Sequence, residues 1–339
     1  MVQLQKPKWV YMGGRLVPWD DAVLHVSTEA AVRGLNVFEG LKAYWRHDGA
    51  TLGVVALERH FARLERSARL LHIPMPEDLG SFRRGCFELL DALAVSDRDI
   101  WLRATLYVVE GHWGENTRAD LVLTAYTQDK ARPKPIDVGV STWQRATDTA
   151  LPPRIKTSSN YQVARLARIE GRGRGFSDMI LLNRWGRVAE ATAACVLVVR
   201  DGAVITPPAT EGCLESITVQ IVRALCRSLE IPFVERPIDR TELLIADEAA
   251  IVGTLAELVR IRRIDEHVLP EASPLLDAVA DRFWAAVRAS DPHPAVDLAI
   301  VPKGSAPLAR LPGLERRAPV ALGSTKGSST GAFSPHPSS

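Results

Sequence analysis

The sequence predicts an α+β fold with two domains, and three observations support this prediction. Strand-like and helix-like segments are mixed along the chain, but the strands are too irregularly spaced for a simple βαβ repeat. Residues 128–135, rich in Lys and Pro, interrupt these patterns and are typical of an interdomain linker. Long periodic apolar patterns are absent from the C-terminal part. We therefore expect a small α+β domain in residues 1–127, a larger domain in residues 136–290 and a disordered tail in residues 291–339.

The first domain begins with a predicted β-hairpin. Two short apolar segments, residues 9–12 and 15–17, flank Gly13 and Gly14, a pair that suits a tight turn between antiparallel strands. Apolar side chains in residues 58–71 recur at helical spacing, which predicts an amphipathic helix. The same patterns predict further elements in this domain, namely strands at residues 41–45, 51–56, 100–109 and 119–126 and a second helix at residues 79–93.

The second domain shows the same mixture of patterns, without an internal repeat. Its apolar, β-branched segments predict strands, and its longer amphipathic segments predict helices. The predicted strands are residues 137–141, 179–182, 195–200, 248–252 and 258–264. The predicted helices are residues 161–171, 216–229, 241–246 and 275–289.

The C-terminal tail differs in composition from the rest of the chain. From Lys303 to Ser339, Gly, Pro and Ser make up 17 of 37 residues, and five Lys or Arg residues stand against one Glu. Such a segment buries too little apolar surface to offset the entropy lost on ordering, which predicts disorder. A basic interaction arm is the alternative interpretation of this segment.

Composition narrows the class of protein. The 42 basic and 40 acidic residues leave a net charge of +2, too balanced for nucleic-acid binding across the whole surface. The four cysteines lack CxxC spacing and the eight histidines form no metal-binding pair, so we expect neither disulfides nor a metal site. Neither a signal peptide nor an apolar segment of about 20 residues is evident, which predicts a cytoplasmic protein without a membrane anchor. By size, an enzyme is expected.

Lys156 is the first candidate for a catalytic residue. Only eight of the 42 basic residues are lysines, and Lys156 is the only lysine between Pro135 and Pro302. It lies between an extended segment and a predicted helix, where functional groups are often placed. A lysine amine can form a Schiff base with a carbonyl cofactor, and an arginine cannot. The alternative is an ordinary lysine beside helix-capping residues.

Several motifs, in order, resemble class IV pyridoxal-phosphate aminotransferases, and they are most similar to the branched-chain amino-acid aminotransferase group. The resemblance covers about residues 9–289 and implies the two-domain architecture of fold type IV, the D-amino-acid aminotransferase-like fold, with pyridoxal 5′-phosphate bound by the larger domain. The motifs that carry it are residues 37–44 (VFEGLKAY), 58–64 (ERHFARL), 156–161 (KTSSNY), 182–192 (LNRWGRVAEAT), 206–208 (TPP), 214–218 (LESIT), 246–248 (ADE) and 253–257 (GTLAE).

The resemblance implies a role for each cofactor-binding residue. Lys156 would form the Schiff base and move the proton, and Glu190 would keep the pyridine nitrogen of the cofactor protonated. Tyr161 would hydrogen-bond the ring oxygen. Residues around the cofactor phosphate would be Arg63, through its guanidinium group, with Ile217, Thr218 and Thr254.

The substrate side matches the family less well. A tyrosine of the family is replaced by Arg33, a Tyr-x-Arg motif by Trp101-Leu102-Arg103, and a small residue by Leu255. Residues 194–197 also replace the Glu-Asn-Leu-Phe sequence of the family. The candidate substrate-binding residues are Phe38, Arg33, Lys42, Trp101, Arg103, Leu255 and Ala256. For Arg33, a role as carboxylate receptor and an exposed surface position are both open.

The implied activity is transfer of an amino group between a branched-chain-like amino acid, or an amine, and a 2-oxo acid, as in amino-acid metabolism. A lyase of the same fold, similar to aminodeoxychorismate lyase, and a D-amino-acid or amine transaminase are the alternatives, and a non-catalytic relative is a third. The resemblance also implies a homodimer or higher homo-oligomer, in which the small domain of one subunit completes the pocket of its neighbour. We expect small-molecule donor and acceptor partners, and neither nucleic acid nor a membrane.

Overall fold

A computed structural model describes residues 6–304 of the chain. Its first part combines strands with helices, in agreement with the predicted α+β class. The strands are β1 (Trp9–Met12), β2 (Arg15–Pro18), β3 (Asn36–Trp45), β4 (Leu52–Val55), β5 (Arg98–His112) and β6 (Glu115–Asp129). The helices are α1 (Glu29–Val32), α2 (Leu57–Leu70) and α3 (Leu79–Leu93).

The second part begins after a segment, residues 130–135, that has no helix or strand. Its strands are β7 (Ile136–Gln144), β8 (Asp178–Leu182), β9 (Val188–Ala191), β10 (Cys195–Arg200), β11 (Ala203–Thr206), β12 (Phe233–Glu235), β13 (Glu248–Gly253), β14 (Glu257–Ile264) and β15 (His267–Val268). The helices are α4 (Tyr161–Gly173), α5 (Ile217–Ser228) and α6 (Pro274–Val287), and a last strand, β16 (Leu298–Ile300), follows.

The first sheet is antiparallel and has the order β16-β4-β3-β5-β6-β1-β2 within residues 6–304. The hairpin turn at Gly13 and Gly14 has φ values of 60° and 75°, which residues other than glycine rarely adopt. Helices α2 and α3 cover one face of this sheet and form its core. Residues of that core include Leu41, Leu57, Phe61, Leu64, Phe82, Leu89 and Leu102.

The second sheet is mixed, with the order β12-β11-β10-β13-β14-β7-β8-β9 and β15 paired to β14. Both faces of this sheet are buried, each under a separate apolar core. Alternate residues of a strand point to opposite faces, so neighbouring residues belong to different cores. On β10, Leu197 packs with α5 and α6, whereas Val196 and Val198 belong to the core on the other face. This double burial explains why the central strands are continuous apolar segments.

Most predicted elements are confirmed, with small shifts at their ends. The hairpin at the N-terminus, the helices near residues 58–71, 79–93 and 161–171 and the strand at residues 195–200 are all present. The predicted helix at residues 241–246 is instead a 3₁₀ helix, Arg240–Ile245. Strands β9, β11, β12 and β16 were not predicted, since each has only three or four residues and little alternation.

Two boundaries differ from the prediction. Gln128 and Asp129, assigned to the linker, pair with Asp99 and Arg98 as the last residues of β6. The predicted tail started too early, because β16 pairs with β4 and buries Val301 in the first core. The rest of the predicted tail, from residue 305, lies outside the described residues. The division into two domains at residues 128–135 stays a prediction.

No helix among residues 6–304 is long and apolar enough to cross a membrane.

Candidate active site

The backbone of Lys156 is held from two sides. Its N–H donates to the Ser67 hydroxyl of α2 at 3.2 Å, and its carbonyl accepts from the Phe38 N–H of β3 at 2.9 Å. The segment that carries Lys156 is an irregular connection between β7 and α4, so these two bonds supply the support that a helix or strand would give. They place the lysine where the first sheet meets the second part of the chain.

The amine of Lys156 lies in a small aromatic and polar environment. Its Nζ donates to the Tyr161 hydroxyl at 2.8 Å and lies 5.0 Å from the centre of the Phe38 ring. The Phe38 and Tyr161 rings contact each other, with centroids 5.1 Å apart. Tyr161 is the first residue of α4, and the short 3₁₀ helix Ser158–Asn160 leads into it. The predicted Lys156 and Tyr161 are therefore direct neighbours.

Glu190 lies on β9 with its side chain 13% exposed. One carboxylate oxygen, Oε2, accepts from the Leu214 N–H at 3.0 Å, and Oε1 lies 3.1 Å from Arg145 Nε. Arg145 itself is buried and donates to the backbone carbonyls of Gly212 and Asn160. The Arg145 guanidinium group and the Leu214 N–H hold the two oxygens of this carboxylate in place. Glu190 therefore provides a fixed negative charge.

The three groups Lys156, Tyr161 and Glu190 line one cavity, although 34 positions separate the first from the last. The other residues that line it are Arg145, Pro153, Ile155, Asn160, Thr192 and Leu214. Sequence reasoning did not identify Arg145, Asn160 or Leu214 as part of the site. Arg145 could not be distinguished among the many arginines of the sequence. Leu214 contacts Glu190 through its backbone N–H, and the Asn160 amide donates to the Pro152 and Ile155 carbonyls, so neither shows its role by residue type.

Arg63 belongs to a buried cluster on α2 and β3. Its Nε and Nη2 donate to the two oxygens of Glu39 at 2.7 and 2.8 Å, and His60 Nδ1 lies 2.7 Å from Glu39 Oε2. Burial alone would raise the pKa of Glu39, but Arg63 and then His60 outweigh it and hold this pKa far below its usual range. Burial lowers the pKa of His60, against the opposing effect of Glu39. Glu39 is thus ionised, and His60 is a neutral donor.

The remaining nitrogen of Arg63 reaches the start of α5. Its Nη1 donates to the Glu215 carbonyl at 2.8 Å, directly before the capping residue Ser216, whose hydroxyl accepts from the Val219 N–H. Ile217 and Thr218 are the first two residues of this 12-residue helix and are buried. The first N–H groups of a helix lack intrahelical partners and favour anions. Arg63 therefore contacts the segment that leads into Ile217 and Thr218, and anion binding by these residues stays a prediction.

The turn that contains Thr254, Leu255 and Ala256 connects β13 to β14. Gly253 pairs with Glu257, so these three residues form the whole connection. Leu255 is 43% exposed, whereas Thr254 and Ala256 are half-buried. None of the three lines the Lys156 cavity.

Arg103 and Trp101 lie on β5, next to Phe38. The guanidinium carbon of Arg103 lies 4.0 Å from the centre of the Phe38 ring, and burial lowers the pKa of Arg103. No carboxylate among residues 6–304 forms an ion pair with it. Trp101 stacks on Tyr126, with centroids 5.4 Å apart, and its buried Nε1 has no hydrogen-bond partner in the described chain. Both side chains therefore have polar groups without a partner in the described residues, and Arg103 shares the Phe38 ring with the Lys156 amine.

Two predicted substrate residues are engaged elsewhere in this chain. Arg33 pairs with Glu29 at 2.5 Å, lies over the Trp113 ring and has a side chain that is 40% exposed. Lys42 pairs with Glu257 at 2.5 Å, and both side chains are almost fully buried. The roles of these two residues stay predictions.

Cys195 occupies part of the segment that departs from the family pattern. It is buried, with its Sγ 3.8 Å from the Leu214 carbonyl. Burial, and then the charge of Glu190, raises the pKa of its thiol to about 12. The thiol is therefore neutral near pH 7 and does not act as a nucleophile.

Comparisons with known proteins agree with this geometry. Residues 36–264 match the family described as Amino-transferase class IV. The branched-chain-amino-acid aminotransferase of Escherichia coli (strain K12) is 29% identical over 270 residues, which cover 77% of this chain and 86% of that protein.

Solved structures give the same result. A branched-chain aminotransferase from Thermoproteus uzoniensis, solved with norvaline, is 30% identical and has a TM-score of 0.79. The match covers 84% of this chain and 95% of that chain. The PLP form of a branched-chain amino acid aminotransferase from Thermobaculum terrenum is also 30% identical, with a TM-score of 0.79 and coverage of 88% of this chain and 100% of that one. The fold is therefore fold type IV, as expected. Because the family match spans more than half of the sequence and includes Lys156, Tyr161 and Glu190, the chain belongs to the class IV aminotransferases, which use pyridoxal 5′-phosphate.

Proposed function

We propose that the Lys156 cavity is the centre of a pyridoxal-phosphate-dependent transamination between an apolar, branched-chain-like amino acid and a 2-oxo acid. The observation that carries this proposal is the convergence of Lys156, Tyr161 and Glu190 on one cavity. A lysine amine, a phenol and a fixed carboxylate are the groups this chemistry needs.

The residues present fit the cofactor. The cavity has a carboxylate, Glu190, that would face the pyridine nitrogen and an amine, Lys156, that would bind the carbonyl carbon. Arg63 and the first turn of α5 would hold the phosphate, and the buried pair of Arg63 with Glu39 fixes the direction of the guanidinium group. When bound, the cofactor supplies a carbonyl that takes up an amino group and a ring that accepts an electron pair from the substrate Cα.

The side chains of the cavity then have separate tasks. Lys156 accepts the proton from the substrate Cα and returns it, since its amine has Tyr161 as a hydrogen-bond partner and space beside it. Glu190, held by Leu214 and Arg145, keeps its charge against the ring and stabilises a proton there. Phe38 covers one side of the amine and excludes water from it.

The substrate is expected on the side of Arg103 and Trp101. The unpaired guanidinium group of Arg103 suits a carboxylate, including the second carboxylate of a dicarboxylic 2-oxo acid acceptor. Phe38, which contacts the Lys156 amine, and Trp101 on the neighbouring strand would offer apolar surface to the donor side chain. The named relatives act on branched-chain amino acids, which supports an apolar donor.

The absorption spectrum of the purified protein tests this function. Wild type incubated with pyridoxal phosphate should show a visible band that L-leucine or another apolar amino acid converts to the amino form of the cofactor, with the keto acid released in equal amount. Lys156→Ala should bind the cofactor without this conversion. Release of a keto product without the amino form of the cofactor would instead indicate a lyase. Conversion only by D-alanine or an aryl amine would show that the donor is a D-amino acid or an amine and not a branched-chain-like amino acid.

We also propose that the chain forms a homodimer in which Arg33 completes the pocket of the partner. Four large apolar side chains in the part of the chain before and after Arg33 are highly exposed in the isolated chain, and Arg33 lies over one of them, Trp113, which supports a partner there. They are Val23, Val26, Val32 and Trp113. Light scattering tests the dimer, and mixing Lys156→Ala with Arg33→Ala subunits tests the shared site. Activity recovered in the mixture supports the proposal, and its absence in a proven mixed dimer contradicts it.

A cytoplasmic location is proposed from the cysteines. Cys86, Cys195, Cys213 and Cys226 are all free and buried, as is usual for proteins of reducing compartments. Cell fractionation with an activity assay tests this proposal.

A further inference from the structure

Glu257 has an unusual backbone conformation directly after the turn 254–256. Its φ is 58°, in the left-handed region, and it closes a three-residue connection opposite Gly253. In such connections, the closing position usually holds glycine, because a side chain there costs about 1–2 kcal/mol. A non-glycine residue persists in this conformation only when its surroundings hold it.

Lys42 and Tyr44 of β3 keep Glu257 in this conformation through contacts with its carboxylate. Lys42 Nζ lies 2.5 Å from Glu257 Oε1, and the two side chains are 7% and 4% exposed. Burial, and then the Glu257 carboxylate, raise the pKa of Tyr44 well above its usual value, so its hydroxyl keeps its proton and hydrogen-bonds the same carboxylate. A buried carboxylate with these partners cannot leave without exposing an unpaired charge.

The same face of β3 reaches the catalytic lysine. Phe38, Gly40 and Lys42 alternate with residues of the opposite face, and Phe38 contacts Lys156 while Lys42 contacts Glu257. Arg103 and Trp101 pair with Gly40 and Lys42 on the neighbouring strand. One strand therefore connects the catalytic amine, the candidate substrate groups and the turn.

We propose that Lys42 is a positioning residue, which fixes the turn 254–256 through its buried ion pair with Glu257. The family resemblance implies that Leu255 and Ala256 of this turn bind substrate, so a fixed turn would set how the carboxylate of the substrate is received. This inference rests on the proposed function. It differs from direct binding of substrate by Lys42, because the ammonium group is committed to Glu257 in the absence of any ligand. The turn is held ready before substrate arrives, and this lowers the entropy lost on binding.

The experiment compares Lys42→Met with the double variant Lys42→Met/Glu257→Gln. The single variant leaves a buried carboxylate unpaired and should lose thermal stability. The double variant removes both charges and should regain that stability, which separates folding from positioning. Arg236→Met/Glu242→Gln is the control, since Arg236 and Glu242 also form an ion pair, and neither residue contacts Lys42, Tyr44 or Glu257.

Four quantities are measured: the melting temperature, the visible band of the bound cofactor, KM and kcat for the donor, and the Kd of isocaproate, a carboxylate without an amino group. In the Lys42→Met/Glu257→Gln variant the band should persist and kcat should stay close to wild type. KM and the isocaproate Kd should rise by about tenfold or more, since a hydrogen bond to a charged group contributes about 1.5–3 kcal/mol. The Arg236→Met/Glu242→Gln control should keep both at wild-type values.

Wild-type KM and Kd in the double variant would overturn the inference, as would an equal rise in the control. If the double variant does not fold, Lys42→Met/Glu257→Gly replaces it, because glycine adopts this φ without strain. The proposed function fails separately, when wild type itself converts no amino donor.

Discussion

At the scale of single residues, charge decides what each group of the cavity can do. Glu190 has a guanidinium group and a backbone N–H as partners, so it is a fixed anion. Arg103 is a cation without a carboxylate partner among residues 6–304, so its charge is available to a ligand. The protein itself supplies the partners of the Glu190 charge, whereas the Arg103 charge has no ion-pair partner among residues 6–304.

Replacing Glu190 by Gln should lower kcat by about 100-fold or more, because a preorganised charge in a buried site contributes that much to catalysis. The amide retains an acceptor for the Leu214 N–H, so cofactor binding should persist. Single-turnover conversion of the bound cofactor, followed by absorbance, measures the effect. A variant with wild-type conversion rates would show that Glu190 does not face the ring.

Replacing Arg103 by Met should raise the melting temperature and weaken the binding of dicarboxylic acceptors. Burial opposes the charge of Arg103, as its lowered pKa shows, and Met fills a similar volume without that charge. KM for 2-oxoglutarate should rise by about 10- to 100-fold, the loss expected for a charge-assisted hydrogen bond. Arg98→Met, at an exposed ion pair of the same strand, serves as the control and should change neither quantity. A fall in stability with unchanged KM would contradict a role in binding.

Lys156, Tyr161 and Glu190 could be selected from the sequence because each belongs to a local motif, and the three side chains line one cavity. Their role in holding a cofactor stays a prediction. Lys156 and Tyr161 lie five positions apart, and Ile217 and Thr218 open one helix. The substrate side was harder to predict, since Lys42 meets Glu257 across 215 positions and neither residue reveals its partner in the sequence. Arg145 could not be found for the same reason.

At the scale of elements, α2 organises the first part of the site. His60, Arg63 and Ser67 lie on one face, at helical spacing, and they contact Glu39 and the backbone of Lys156. The N-terminal residue before this helix, Ala56, has a left-handed φ of 54°, and its N–H donates to the carbonyl of Asp297. A shift of α2 would therefore move Arg63, which belongs to the proposed phosphate site, together with Lys156.

His60 should make the folded state less stable as the pH falls below 7. Burial, opposed by Glu39, lowers the pKa of His60 in the folded state below the usual value of about 6.5. The unfolded chain therefore binds a proton on His60 that the folded chain does not, and stability is lost as the pH falls through about 6.5. The slope can reach about 1.4 kcal/mol per pH unit for this proton. His60→Gln should flatten the curve of unfolding free energy between pH 7 and the folded pKa, and an unchanged slope would contradict this assignment.

The contact of α3 with β1 should be sensitive to one methyl group. A Cβ at Gly85 would lie 2.5 Å from the Tyr11 ring, so Gly85→Ala should cost about 1–3 kcal/mol of unfolding free energy through overpacking. Gly80 is in the same helix and has ordinary space at 3.5 Å, so Gly80→Ala should gain about 0.5–1 kcal/mol from helix propensity. Urea denaturation of both variants measures the difference. Equal effects would show that α3 does not pack as described.

Elements with a long periodic pattern were predictable, and short ones were not. Helix α3 was predicted to the residue because its apolar face repeats over 15 residues and Asp78 caps it. Strand β16 has three residues and exists only because β4 presents an edge for it, at a distance of about 245 positions in the sequence. Local pattern cannot show such pairing.

At the scale of the whole molecule, residues 297–301 add an edge strand to the first sheet. Strand β16 pairs with β4, the Val301 N–H donates to the Leu52 carbonyl, and Asp297 pairs with Arg59 of α2 at 2.6 Å. The chain thus returns from the second sheet to stabilise the first, beside the helix that supports the active site.

A chain that ends at residue 304 should therefore keep the melting temperature and activity of the full chain, whereas one that ends at residue 290 should lose both. The shorter chain lacks Val296 and Val301, both buried, whose burial contributes about 1.5–3 kcal/mol each. Their loss alone is a large part of the about 5–15 kcal/mol by which proteins are stable. Thermal unfolding and donor conversion of the two truncated chains, side by side, measure this. If the chain ending at residue 304 lost as much as the shorter one, residues beyond 304 would be needed for the fold. If the chain ending at residue 290 kept full stability, the pairing of β16 would not support the first sheet.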